Sequence, residues 1–306
     1  MLTCDDYRLP RSLKSALEAW SKAPEGSRLV AGATDTLPWA RQGRAGDIVG
    51  DVHVPLLVDV TEVSALDSYR LQDDGRIRLG ANLVFQQFLE DENLARYLPH
   101  MPPCALWFAD DQIRRQATIA GNIVNASPAA DGIPPLVALN AEVEIASLHD
   151  QEVVHRNLPL VEFVTGPGRT QLQPGEIVTA VTCDTALGYG GAFEKVGHRR
   201  SLVISIVCTS CCLKPSQDHK VFDDVRLALG GVGPVPMRLD DVETFLRGQT
   251  ISPQVIAAAS EIPLDRVASR TRREYRRDVI RGFVDRSIRD ALARCGISLP
   301  PTHRPA

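Results

Sequence analysis

From Thr165 to Val178 the chain runs TGPGRTQLQPGEIV, and Pro167, Gly168, Pro174 and Gly175 within it exclude one continuous helix or strand. A chain of 306 residues exceeds the usual size of one core, so one large or two medium domains are expected, and a boundary is placed shortly after this connector. We expect a first domain over 1–185, a smaller second domain over 186–298 and a loose proline-rich tail over 299–306.

Before the connector, strand-like and helix-like runs alternate. Leu13, Ala16, Leu17 and Trp20 have helical spacing; RLVAGA, LLVDVT from Leu56 and RIRLGA from Arg76 read as strands; Val84, Phe85, Phe88 and Leu89 share one face of a short helix. After it come the strands AFEKVG, LVISIVCTSCCL and DVRLALGGVG. Helices around Leu239–Leu246, behind Ser252 and Pro253, and from Tyr275 to Gly296 follow. The order implies an α/β or α+β first unit and an α+β second one, with antiparallel strands then helices.

The formal net charge is -4, and the arginines between Arg270 and Arg286 are interrupted by acidic and apolar residues, which argues against nucleic acid as a partner. LVISIVC from Leu202 is far shorter than the roughly 20 residues that span a bilayer. MLTCDDYRLP lacks the pattern of a signal peptide, so a cytoplasmic protein is expected. Seven scattered cysteines do not form a disulfide framework. Cys208, Cys211 and Cys212 have a spacing that could seat a metal, but lie in strand-like sequence without a second ligand pair; we read them as buried thiols and expect no metal site.

Two stretches carry candidate chemistry. In LVAGATD, Leu29–Asp35, small residues after a strand would let successive amides form a nest for an anion, although the run also reads as a plain strand-to-helix turn. It has neither the GxGxxG spacing of a dinucleotide-binding turn nor a P-loop ending. From Gln112 to Ile145, Thr118, Gly121, Asn122, Asn125, Ser127 and Asp131 stand in a nearly uncharged background. So many hydrogen-bonding groups suit either a solvated loop or a ligand rich in donors and acceptors.

AGATD followed by IRRQATIAGNIVNASPAADGIPPLVALNAEVEI resembles the paired flavin motifs of the molybdenum hydroxylase FAD subunits, a family including xanthine, carbon monoxide and nicotine dehydrogenases. TGPGRTQLQPGEIV is similar to the bacterial xanthine dehydrogenase version, and FEKVGHRRSLVISIV with LALGGVGPVPMR to the family's C-terminal domain. The resemblance implies a two-lobed FAD-binding fold of the vanillyl-alcohol-oxidase (PCMH) type, then a smaller α+β domain like that of the CO dehydrogenase flavoprotein. It implies non-covalent FAD, with Leu29, Val30, Ala31, Gly32, Ala33, Thr34, Asp35 and Thr36 wrapping the pyrophosphate and Phe108 on the adenine end. Ala117, Thr118, Gly121, Asn122, Asn125 and Asp131 would hold phosphate, ribose and ribityl groups, Ile177 and Val178 would line the cofactor, and Lys195 would approach the isoalloxazine.

It further implies [2Fe-2S] and molybdopterin centres in partner subunits of a heterotrimer, which could itself dimerise. Electrons would pass through this flavin to NAD+ or another acceptor, from a purine or other N-heterocycle hydroxylated at the molybdenum subunit. No side chain of this chain need act as acid, base or nucleophile. The customary glycine pairs are Gly32–Ala33 and Ala120–Gly121 here, and Ala33 is acceptable in such a turn only at negative φ. Lys195 alone would be a solvated strand charge; beside a flavin it would raise the redox potential. Phe193 stands near it without an assigned role, and His198, Arg199 and Arg200 read as a polar edge or subunit contact. Two other readings stay open: a non-catalytic assembly subunit with a decayed flavin site, and a stand-alone FAD oxidoreductase.

Overall fold

A computed structural model describes residues 1–45, 48–49, 51–199, 202–268 and 271–300. Arg200, Arg270 and the tail from Pro301 onward lie outside the described residues.

The first lobe is a three-stranded sheet in which Val52–Asp59 lies between Leu2–Arg8 and Arg28–Val30, parallel to both. Parallel neighbours need a crossover. Helix Leu13–Ser21 makes it, started by a capping box in which Ser12 and Ser15 each bond the other's backbone amide. Val52, Val54, Leu56 and Val58 alternate inward along the middle strand. The opening strand Leu2–Arg8 was not legible, because LTCDDYR is mostly polar and exposed and is held as an edge by its ladder.

The second lobe is a five-stranded antiparallel sheet in the order Tyr69–Leu71, Arg76–Gly80, Ile177–Asp184, Glu142–His149, Glu152–Pro159. Its central strand starts at Ile177, in the last two residues of the turn-rich connector. Between the sheet's early and late strands the chain winds through short helices, including Met101–Trp107, Ile119–Val124 and Ile133–Ala138. Leu83, Phe85, Phe88, Met101, Ile123 and Leu136 meet there in one core with Leu17 and Val58 of the first lobe.

Gly190–Val196, Val207–Pro215, Phe222–Gly230 and Met237–Arg238 form a four-stranded antiparallel sheet, against which helix Arg273–Arg294 packs. LVISIVCTSCCL is a strand only from Val207; before it Leu202 takes a φ of 50° and Ile204 is exposed. Alternation along this strand sends Cys208 and Cys212 into the first domain's core and Cys211 into the core under the long helix. Thiols on opposite faces of a sheet cannot share an ion, and among the described residues no metal-ligating group forms. Burial pushes all three thiols well above their usual range. No helix among the described residues is long and apolar enough to cross a membrane.

His100 is fully buried. Its Nε2–H donates to the Pro135 carbonyl at 2.9 Å, Nδ1 is buried without a partner among the described residues, and burial lowers its pKa to about 4. The folded state thus holds a neutral ring that the unfolded chain protonates below pH 6.5. The resulting stability is full above 6.5 and is lost as pH falls towards 4, an amount of about 3 kcal/mol. Urea midpoints at pH 7 and pH 4.5 should show this loss in the wild type and a smaller one in His100→Gln; equal losses would assign it elsewhere.

Candidate functional site

Between the two lobes lies a cleft of about 540 Å³. One wall is the chain leaving strand Arg28–Val30, and the facing wall is the start of helix Ile119–Val124. The two walls touch at Gly32. A Cβ there would lie 1.8 Å from the Gln116 carbonyl oxygen and 2.5 Å from its carbon, so only glycine lets these backbones meet. Beyond it, the amides of Gly32, Ala33, Thr34, Asp35 and Thr36 have no acceptor among the described residues, although they line the cleft. Successive amides left open in this way form an anion-binding concavity.

Ala33 has a φ of 52°, which corrects the expectation of a negative value. The turn imposes the left-handed conformation whatever the residue, and alanine bears a strain of roughly 1–2 kcal/mol. The nest is therefore kept despite the departure from glycine. Asn125 Nδ2 donates to Asp35 Oδ2 at 2.9 Å and ties the two walls a second time. Burial pushes the Asp35 carboxyl above its usual range.

On the facing wall, the Thr118 hydroxyl accepts from the Gly121 amide at 3.0 Å and caps the helix, and Asn122 Oδ1 accepts from the Gly132 amide at 3.1 Å. Ala117, Ile177 and Val178 supply apolar surface. Phe108 stacks on Phe85 with centroids 3.9 Å apart and planes within 3°. Its carbonyl accepts from Arg114 Nη1 at 3.0 Å, while Arg114 Nε donates to Gln86.

Sixteen of the eighteen residues expected from the sequence line this cleft; Asp131 and Lys195 do not. Lys195 is not a solvated strand charge either. Its Nζ lies 2.5 Å from Asp131 Oδ2, with side chains 2% and 8% exposed, and also donates to the Trp107 carbonyl at 3.3 Å. Ser205 donates to the other carboxylate oxygen at 2.5 Å. Burial raises the Asp131 carboxyl, with Lys195 and Ser205 opposing that rise. A cation paired this closely presents a dipole, not the net positive charge expected of Lys195.

This pair also bears on Phe108. Lys195 donates to the carbonyl of Trp107, the residue before Phe108, so Phe108 and Lys195 lie near one another beside the four-stranded sheet. Trp20, Ser27, Arg28, Trp39, Asn82 and Glu176 also line the cleft and were not foreseen. A cation opening an apolar strand, as Arg28 does, was the available signal.

Residues 3–183 match the family described as the FAD binding domain in molybdopterin dehydrogenase, and residues 192–291 the CO dehydrogenase flavoprotein C-terminal domain. The xanthine dehydrogenase FAD-binding subunit of Escherichia coli O157:H7 is 29% identical over 296 residues, covering 95% of this chain and 97% of that protein. The nicotine 6-hydroxylase medium subunit of Paenarthrobacter nicotinovorans is 26% identical over 296 residues, covering 94% and 97%. Among solved structures, carbon monoxide dehydrogenase from Hydrogenophaga pseudoflava aligns with a TM-score of 0.83 at 22% identity, covering 95% of this chain and 98% of that one. Quinoline 2-oxidoreductase from Pseudomonas putida 86 gives 0.83 at 23%, covering 95% and 97%. These two share the fold.

Proposed function

The chain belongs to the family of FAD-binding domains in molybdopterin dehydrogenases, and from that premise we propose that it is the FAD-carrying oxidoreductase subunit of a molybdenum hydroxylase complex. The observation that carries the reading is the pair of walls locked at Gly32, with open amides facing a cleft of dinucleotide size. FAD, when bound, supplies the redox chemistry.

The residues present suit that group. The amides of Gly32–Thr36 would hold the pyrophosphate, Asn122 and Asn125 would meet hydroxyls, and Ala117, Ile177 and Val178 would exclude water. Asp131 and Lys195 would act from behind the cleft, by fixing Trp107 and hence the Phe108–Phe85 stack. We place the domain boundary between Asp184, where the five-stranded sheet ends, and Gly190, where the next begins.

Partner subunits would bring the [2Fe-2S] and molybdopterin centres of a heterotrimer, with a purine or related N-heterocycle as substrate and NAD+ as acceptor. The xanthine dehydrogenase and nicotine hydroxylase relatives support that direction. Seven free thiols suit a cytoplasmic location.

The test is the visible spectrum of the purified chain, with the cofactor released by heat and identified by mass. Flavin maxima and the mass of FAD are expected, and co-expression with the neighbouring subunits should recover a complex of three kinds of chain. A colourless chain that does not take up added FAD would overturn the reading.

A further inference from the structure

Outside the cleft, an apolar surface stands open among the described residues. With the terminal Met1 set aside, Ile204 at 78% and Leu106 at 66% are the most exposed large apolar side chains described. Both lie on segments tied to one buried pair. Lys195 Nζ donates to the carbonyl of Trp107, the residue after Leu106, and Asp131 accepts from Ser205, the residue after Ile204. Trp107 is itself 40% exposed. Single exposed apolar side chains are ordinary, whereas several gathered on anchored backbone mark a contact surface.

Leu106 and Trp107 give the apolar part of a surface hollow of about 630 Å³, which Asp110, Asp111 and Gln112 also line. Its backbone is fixed before any contact. Arg114 Nη1 donates to the Phe108 carbonyl at 3.0 Å, and Asp110 accepts from the Ile113 amide at 2.9 Å. A surface ordered in advance loses little entropy when it is covered. The Arg114 side chain is 9% exposed and that of Asp111 76%, so the rim shows water mainly carboxylate. An apolar floor with an acidic rim fits a protein segment carrying an apolar side chain beside lysine or arginine.

Leu106 and Trp107 directly precede Phe108, which lines the cleft, so a protein seated on them lies against the back of the cofactor wall. A subunit that delivers electrons to a bound flavin has to be positioned there. Resting on the reading of this chain as the FAD subunit, we propose that Leu106, Trp107 and Ile204 form the docking surface for the iron–sulfur subunit. That subunit places an apolar side chain in the hollow and a basic one against Asp110 and Asp111.

The experiment co-expresses the full chain with the iron–sulfur and molybdopterin subunits and measures the iron–sulfur chain recovered per FAD chain. Wild type, Leu106→Glu, Ile204→Glu and Val161→Glu are compared, with flavin content and a melting curve for each. Val161, 53% exposed in helix Leu160–Phe163, lies outside the hollow and is the control. Leu106→Glu and Ile204→Glu should each lower recovery about tenfold or more, with flavin content and melting temperature kept, and Val161→Glu should leave it unchanged. Added salt should weaken the wild-type complex, and a complex indifferent to salt would remove the basic partner. Full recovery in both surface variants, or an equal loss in Val161→Glu, would overturn the proposal. Loss of the molybdopterin chain alone would also overturn it, as would a wild-type chain that is a dimer by itself and is split by Leu106→Glu. A wild type that holds FAD but recovers no iron–sulfur chain would overturn it while leaving the flavin reading intact, and one that does neither would remove both.

Discussion

Gly32→Ala is expected to leave the purified chain essentially without FAD and to lower its melting temperature. The added Cβ would fall 1.8 Å from the Gln116 carbonyl oxygen, inside any contact distance, and its neighbours are backbone atoms that no rotamer change can move. The two walls must separate, at an overpacking cost of about 1–3 kcal/mol or more. Separation also strains the Asn125–Asp35 bond and spreads the open amides. FAD per chain, measured by absorbance after denaturation, reads the first effect and calorimetry the second. Ala33→Gly is the control one residue away, where a φ of 52° favours glycine, so cofactor content should be kept and stability should not fall. Wild-type cofactor content in Gly32→Ala would show that this close approach does not shape the site.

The second large effect concerns the buried pair at the domain junction. Asp131→Ala leaves the Lys195 ammonium in a site where its side chain is 2% exposed, keeping, among the described residues, the Trp107 carbonyl alone as a partner. Removing one member of such a pair costs about 3–5 kcal/mol. Asp131→Ala combined with Lys195→Met removes the stranded charge, and the double variant should regain most of the loss, since the two sites are in direct contact and non-additive. Denaturant midpoints of the four proteins complete the cycle. A double variant no more stable than Asp131→Ala would mean that Lys195 is not stranded when Asp131 is lost. Flavin content should follow stability through the series, because neither side chain lines the cleft.

Much of this protein is legible in its amino-acid order. The strand runs RLVAGA and RIRLGA, the helix at Leu13–Ser21 behind Ser12, and the antiparallel strands followed by helices all follow from local periodicity and capping, which depend on near neighbours in the chain. The two motif stretches were legible for a related reason: small and hydrogen-bonding residues gathered without charge mark backbone meant to approach something closely. The polar edge strand Leu2–Arg8 was not, because its place is decided by the ladder to Val52–Asp59, some fifty residues away.

What the amino-acid order determined by itself was which segments become strands and helices and which loops carry the ligand-facing groups. The partners of buried charges and the sign of backbone angles in the turn were decided by the tertiary structure alone. Lys195 and Asp131 are 64 residues apart, and only the packing of one domain on the other makes each the neutralising partner of the other. Ala33 takes a left-handed φ because the turn over Gln116 demands it, against its own preference. Local propensity amounts to about 1 kcal/mol per residue, whereas close packing and charge burial amount to several, so where they conflict the long-range contacts prevail.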